Sequence, residues 1–98
     1  MKVVWSSEAL RMLDEIERFI AQDNPQRAVV FIDRLLEKGD SISSFPKMGR
    51  VVPEFSRSDI REILVGNYRI VYRITPSQIV ILTVFEGHRS MRTEEIDP

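Results

Sequence analysis

The spacing of apolar residues changes once along this chain, and that change limits the folds open to it. In the first half they recur every three to four residues: Ala9, Met12, Leu13, Ile16, Phe19 and Ile20, then Ala28, Phe31, Ile32, Leu35, Leu36 and Ile42. In the second half they fill short runs at 60–65, 68–74 and 79–85. A period near 3.6 gathers apolar side chains on one stripe of a helix, and a period of two gathers them on one face of a strand. The chain therefore predicts two amphipathic helices followed by three strands, with Val3-Val4-Trp5 as a further strand ahead of them.

The punctuation agrees with this reading. Ser6 or Ser7 offers an N-cap to the first helix, and Glu8 suits its positive end. Asn24 and Pro25 close that helix and open the next, as N-cap and first helical residue. So short a link makes the two helices an antiparallel hairpin. Gly39 weakens the second helix late. The stretch "FPKMGRVVPEFSRSD", 45–59, holds two prolines and a glycine and reads as a loop. Gly66-Asn67 is a tight turn between strands, and 75–78 is a second turn. The expected class is α+β: an N-terminal strand, a helix hairpin, then a three-stranded antiparallel meander. The helices cover one face of a small twisted sheet and leave the other open. At 98 residues the chain is expected to be a single domain over 1–98, with a polar tail frayed from about 90.

Composition narrows the setting. There are no cysteines, so neither a disulfide framework nor a thiolate metal site can form. No apolar run is long enough to span a bilayer, and the N-terminus lacks the pattern of a secretory leader. A cytoplasmic protein without membrane, metal or cofactor partners is expected. The formal net charge of -1 argues against non-specific nucleic-acid binding. The charge is uneven, however. Every cation after Lys47 is an arginine, the residue suited to bidentate contact with carboxylate or phosphate.

Two of those arginines sit inside "YRIVYRI", 68–74. Alternation sets Tyr68, Ile70, Tyr72 and Ile74 on one side and Arg69, Val71 and Arg73 on the other. The first set is the natural partner of the helix stripe, which leaves the arginines on the open face. With Arg61 on the neighbouring strand, and Ile63 and Val71 as an apolar floor, this face is expected to receive a protein partner. The third strand is apolar on both sides, with Ile79, Ile81 and Phe85 set against Val80, Leu82 and Val84. Phe45 is placed either to plug the core where the second helix ends or, with Pro46, to touch a target. Trp5 is either a partner anchor or packing at the rim of the core.

The segments "FPKMGRVVPE", "IREILVGNYRIVYRI" and "IVILTVFEGHR", in this order after a helix hairpin, resemble the RelE/ParE superfamily of type II toxin–antitoxin toxins. The resemblance covers nearly the whole chain and implies the architecture already argued. It also implies a growth-inhibiting toxin of the kind that stabilises plasmids, silenced by a cognate antitoxin that wraps it. Arg61, Ile63, Arg69, Val71, Arg73 and Arg89 are the candidate residues for antitoxin or target binding.

Two activities are compatible with such a resemblance, and the alternative to both is a degenerate toxin-like domain that binds a partner without being toxic. ParE-like members bind and poison DNA gyrase. RelE-like members cut messenger RNA on the ribosome without a metal, which requires a general base, a general acid and a cation at the phosphorane. In the second case His88, the only histidine, would be the acid or base, with Arg61 and Arg89 as the cations. Several departures favour gyrase. The strand before the glycine turn carries Glu62 and Leu64 where RelE-like nucleases often have lysines. No aromatic residue follows Arg89, and a ribosome-binding nuclease should be more basic.

Overall fold

A computed structural model describes residues 1–87 of the chain. Strand β1 (Lys2–Trp5) leads into helix α1 (Ser7–Ala21), which turns into helix α2 (Pro25–Asp40). Then come a single 3-10 turn (Ser41–Ser43) and strands β2 (Arg50–Val51), β3 (Ile60–Val65), β4 (Tyr68–Ile74) and β5 (Gln78–Glu86). The five strands form one sheet in the order β1-β5-β4-β3-β2. β1 lies parallel to β5, and the other pairs are antiparallel.

The helix starts follow their caps. Ser6 Oγ accepts from the Ala9 amide at 3.0 Å and donates to the Leu82 carbonyl at 2.8 Å, so the cap also ties α1 to the sheet. Asn24 Oδ1 accepts from the Arg27 amide at 3.0 Å, with Pro25 as the first helical residue. Ala9, Leu13 and Ile16 of α1 and Ala28 and Leu35 of α2 are buried, as the 3.6-residue stripe requires. They meet Val65, Ile70, Tyr72, Ile79, Ile81 and Val84 from the sheet. α2 stops at Asp40, and Ile42 enters the core from the 3-10 turn.

Gly39 is buried where α2 crosses Trp5. The indole lies along the rim of the core and donates from Nε1 to Asp40 Oδ1 at 3.1 Å. Of the two readings of Trp5, this is rim packing.

Four expectations need correction. The 45–59 segment is not all loop, because Arg50 and Val51 pair with Glu62 and Arg61 as an edge strand. β5 has a bulge: Val71 faces Thr83 while Tyr72 faces Ile81, leaving Leu82 as the extra residue. An inserted residue reverses the side-chain parity beyond it. Val84 therefore joins the helix side and Phe85 the opposite side, contrary to unbroken alternation.

The third correction concerns β3. Its two-residue turn pairs Val65 with Tyr68, and hence Ile63 with Ile70 and Arg61 with Tyr72. Cross-strand partners share a face, so Arg61 and Ile63 lie on the helix side and not beside Arg69 and Arg73. Lastly, the face away from the helices is not open. Val52 and Phe55 fold back over it and make a second small core with Ile60, Val71, Phe85 and Leu82.

Candidate functional site

On the face opposite the helices, Glu62 of β3, Arg69 of β4 and Glu54 of the covering loop converge. Arg69 is 5 % exposed and Glu62 1 %. Arg69 Nη2 lies 2.8 Å from Glu62 Oε1 and 3.3 Å from Glu54 Oε2, and its Nη1 donates to the Gly87 carbonyl at 3.1 Å. The guanidinium carbon stands 4.9 Å from the centroid of Phe85, a cation–π distance. Glu62 Oε2 in turn accepts from Arg50 at 2.6 Å. The result is a chain of alternating charge, Glu54–Arg69–Glu62–Arg50, with its two middle members inside the protein. Burial of such groups is tolerable only when they are paired and hydrogen-bonded, as here.

The cluster assigns Arg69 a structural place. Its guanidinium ties β3, the covering loop and the end of β5 together, and Val71 beneath it is fully buried. Neither residue can form an exposed binding face in this arrangement, because the 52–59 segment and its carboxylates already occupy that face. Arg73 is half-buried, with Nε 3.4 Å from Asp59 Oδ2. Asp59 is also held by Arg57, whose Nε and Nη2 donate at 3.1 and 2.8 Å. The hydrogen bond from Arg57 holds the Asp59 carboxyl below its ordinary range against the opposing effect of burial.

A folded-state value below the unfolded one gives stability that is present above the ordinary carboxylate pKa and lost as pH falls through the folded value. Asp59→Asn is therefore expected to flatten the acid limb of the pH–stability curve and to leave the neutral-to-alkaline limb unchanged in shape. Urea midpoints from pH 2 to 8 provide the check.

Arg61, on the other side of the sheet, serves the segments on both sides of β2. Its Nε donates to the Ser58 carbonyl at 2.9 Å, and its Nη1 to the carbonyls of Gly49 at 2.9 Å and Lys47 at 3.4 Å. Tyr72 grips the same loop from inside. Its phenol donates to the Pro46 carbonyl at 2.7 Å and accepts from the Gly49 amide at 2.9 Å. Burial raises the phenol's pKa, so it stays a neutral donor. Gly49 leaves no room for a side chain, since a methyl group there would sit 2.6 Å from the Glu62 carbonyl oxygen and 2.7 Å from the Tyr72 hydroxyl.

This clamp presents Phe45, which is 70 % exposed, and it corrects the core-plug reading of that residue. Ile42 takes the core position instead. Tyr72→Phe would leave the Gly49 amide and Pro46 carbonyl without their partner, at a cost of about 1–3 kcal/mol. A lower urea midpoint and faster exchange of the Gly49 amide hydrogen are the expected observations.

His88 and Arg89, the remaining candidates from the sequence, lie outside the described residues. The structure thus brings Arg69 and Arg73 to one face, separates Arg61 and Ile63 from them, and buries Val71. Sequence reasoning missed Glu54 and Glu62 as partners of Arg69, and Arg50 as the second partner of Glu62. The one available signal was Glu62, an acid at an inward position of a strand.

The chain matches a family described as "ParE toxin of type II toxin-antitoxin system, parDE" over residues 3–92. It belongs to that family. The Sinorhizobium fredii protein described as "Putative toxin Y4kP" is 34 % identical over 90 residues, which is 90 % of each chain. Among solved structures, the chromosomal ParDE toxin–antitoxin system from P. aeruginosa matches with a TM-score of 0.74 at 18 % identity, covering 88 % of this chain and 95 % of that one. The toxin–antitoxin complex RelBE2 from Mycobacterium tuberculosis matches with a TM-score of 0.62 at 22 % identity, covering 87 % and 88 %. The protein is thus the toxin of a type II toxin–antitoxin pair, of the ParE type.

Proposed function

We propose that this toxin arrests growth by binding and inhibiting DNA gyrase, and that its cognate antitoxin holds it silent. The observation that carries the choice of target is the buried pair of Arg69 and Glu62. Metal-free cleavage of RNA needs cations free to meet the phosphate as charge builds on it. Here the central arginine of the sheet spends its donors on Glu62, Glu54 and the Gly87 carbonyl, a carboxylate lies beside it, and the candidate cation Arg61 directs its Nε and Nη1 to backbone carbonyls. A negative group buried at that position opposes phosphate approach. The antitoxin half of the reading is supported by the family and by relatives that are toxin–antitoxin systems.

Purified full-length chain, added to gyrase with relaxed plasmid and separately to ribosomes carrying message, tests the proposal. Loss of supercoiling or trapped cleaved DNA, with message intact, is the expected result. Cut message with supercoiling unaffected would overturn it and bring His88 forward.

A further inference from the structure

The hollow beside the clamped loop is lined mainly by apolar side chains. Met1, Phe45, Pro46, Lys47, Met48 and Ile74 surround a space of about 690 Å³. Phe45, Met48 and Met1 stand well exposed there. Large apolar side chains held in water are costly unless something covers them. Their backbone does not merely hang in solvent: the Tyr72 phenol and the Arg61 guanidinium fix the carbonyls of Pro46, Lys47 and Gly49. The loop is thus rigid before any partner arrives, the condition under which an aromatic anchor keeps most of its binding energy.

The rim is basic. Lys47 lies in the lining and Arg61 directly behind it, and among the described residues neither pairs with a carboxylate. The amino group of Met1 adds a third cation, hydrogen-bonded at 3.0 Å to the Ser43 carbonyl. Among the described residues no acid lines this hollow.

The opposite end of β4 differs. There two adjoining hollows share Phe19 and Tyr68, run along α1 to the Gly66-Asn67 turn, and carry Glu15, Asp23 and Glu86 with one cation, Arg27. Tyr68 and Ile74 mark the two ends of β4, about 20 Å apart at 3.3 Å per strand residue. A long hollow suits an extended chain laid along it. A short rigid knob beside a single pocket suits one patch of a folded partner.

We infer that the Phe45–Met48 loop is the toxin's contact surface for its target. The matching patch on the target is an apolar side chain that fills the pocket, flanked by carboxylates that meet Lys47 and Arg61. This rests on the gyrase reading above and names the toxin's side of that contact. A second copy of this chain does not fit, because a two-fold contact would set this basic rim against itself. Nucleic acid does not fit either, since the pocket is apolar and the cations around it are few.

The test uses the full-length chain with purified gyrase holoenzyme, read by supercoiling inhibition and by direct binding to immobilised gyrase. The variants are Phe45→Ser and Lys47→Glu, both at exposed positions that should leave the thermal midpoint within a few degrees. Val30→Ser, exposed on α2, is the control for loss of a surface apolar group. The expected result is at least about ten-fold weaker binding and inhibition for Phe45→Ser, the loss typical of an interface anchor. Lys47→Glu should show a similar loss that adding salt does not restore, with Val30→Ser unchanged. Wild-type potency in Phe45→Ser would overturn the assignment while leaving the gyrase reading intact. A variant that still inhibits gyrase but escapes its antitoxin would transfer the loop to the antitoxin and overturn it likewise. Binding of the wild type to plasmid DNA alone, abolished in Lys47→Glu, would overturn it in favour of a phosphate contact. No inhibition by the wild type would remove the gyrase reading itself, and the assignment with it.

Discussion

Replacing Glu62 with alanine is expected to cost about 3–5 kcal/mol, the penalty for leaving the buried partner of an ion pair uncompensated. Arg69 would keep Glu54, at 3.3 Å and nearer the solvent, and the neutral Gly87 carbonyl, but would lose its buried carboxylate. A chain of this size has a total stability of roughly 5–15 kcal/mol, so the variant would lie near the edge of folding. Each kcal/mol corresponds to about 4–8 °C in the thermal midpoint of a domain this small. Glu62→Leu combined with Arg69→Met should recover most of the loss, because a well-packed apolar pair replaces a buried ionic pair at little net cost.

The double variant also separates structure from function. If Arg69 only holds the loop and the end of β5, the refolded double variant should inhibit gyrase as the wild type does. A stable double variant with no inhibition would place Arg69 in the contact itself. Calorimetry on the three proteins, followed by the supercoiling assay on those that fold, decides between the two roles.

The second large effect is expected at Gly39. A methyl group there would sit 2.3 Å from Trp5 Cζ2, 2.7 Å from Cη2 and 2.9 Å from Ile81 Cδ1. The indole cannot easily withdraw, since its Nε1 is bonded to Asp40 in the same helix and its strand is paired with β5. Overpacking of this kind costs about 3 kcal/mol at its upper typical range, and the better helix propensity of alanine returns about 1. Gly39→Ala should therefore lose about 2 kcal/mol net by these two magnitudes. Because Trp5 is the only tryptophan, its fluorescence spectrum reports the displaced ring directly. A spectrum and midpoint like those of the wild type would show that α2 shifts freely. The glycine that lowers the helix propensity of α2 is what allows the helix to lie against the indole.

The candidate site was less legible than the fold, and for identifiable reasons. The position of Ile63 and Arg61 was within reach. A two-residue turn at Gly66-Asn67 pairs Val65 with Tyr68, so the residues two and four before Val65 must share the face of Ile70 and Tyr72. The bulge that moves Phe85 across the sheet was not, because nothing in a run apolar on both faces marks where an extra residue enters. The covering of the far face by Val52 and Phe55 depends on how a fifteen-residue loop returns, which is a matter of long-range contacts and not of local pattern.

Read by itself, the sequence determined the elements and their order, the two helix caps, the tight turn and the side of β4 that meets the helices. Each of these follows from steric or hydrogen-bonding rules that act within a few residues. It also carried the family resemblance. Only the tertiary structure decided which charges are free. Arg69 and Arg61 look alike along the chain. One is enclosed by Glu62, Glu54 and Phe85, and the other holds the carbonyls behind an exposed Phe45. Charge availability depends on what lies within a few ångströms in space, since desolvation and Coulomb energy both vary steeply over that distance. The neighbours that set it, 12 to 18 residues away in the chain for the Gly49 and Gly87 carbonyls, are brought there by the sheet and its returning loop.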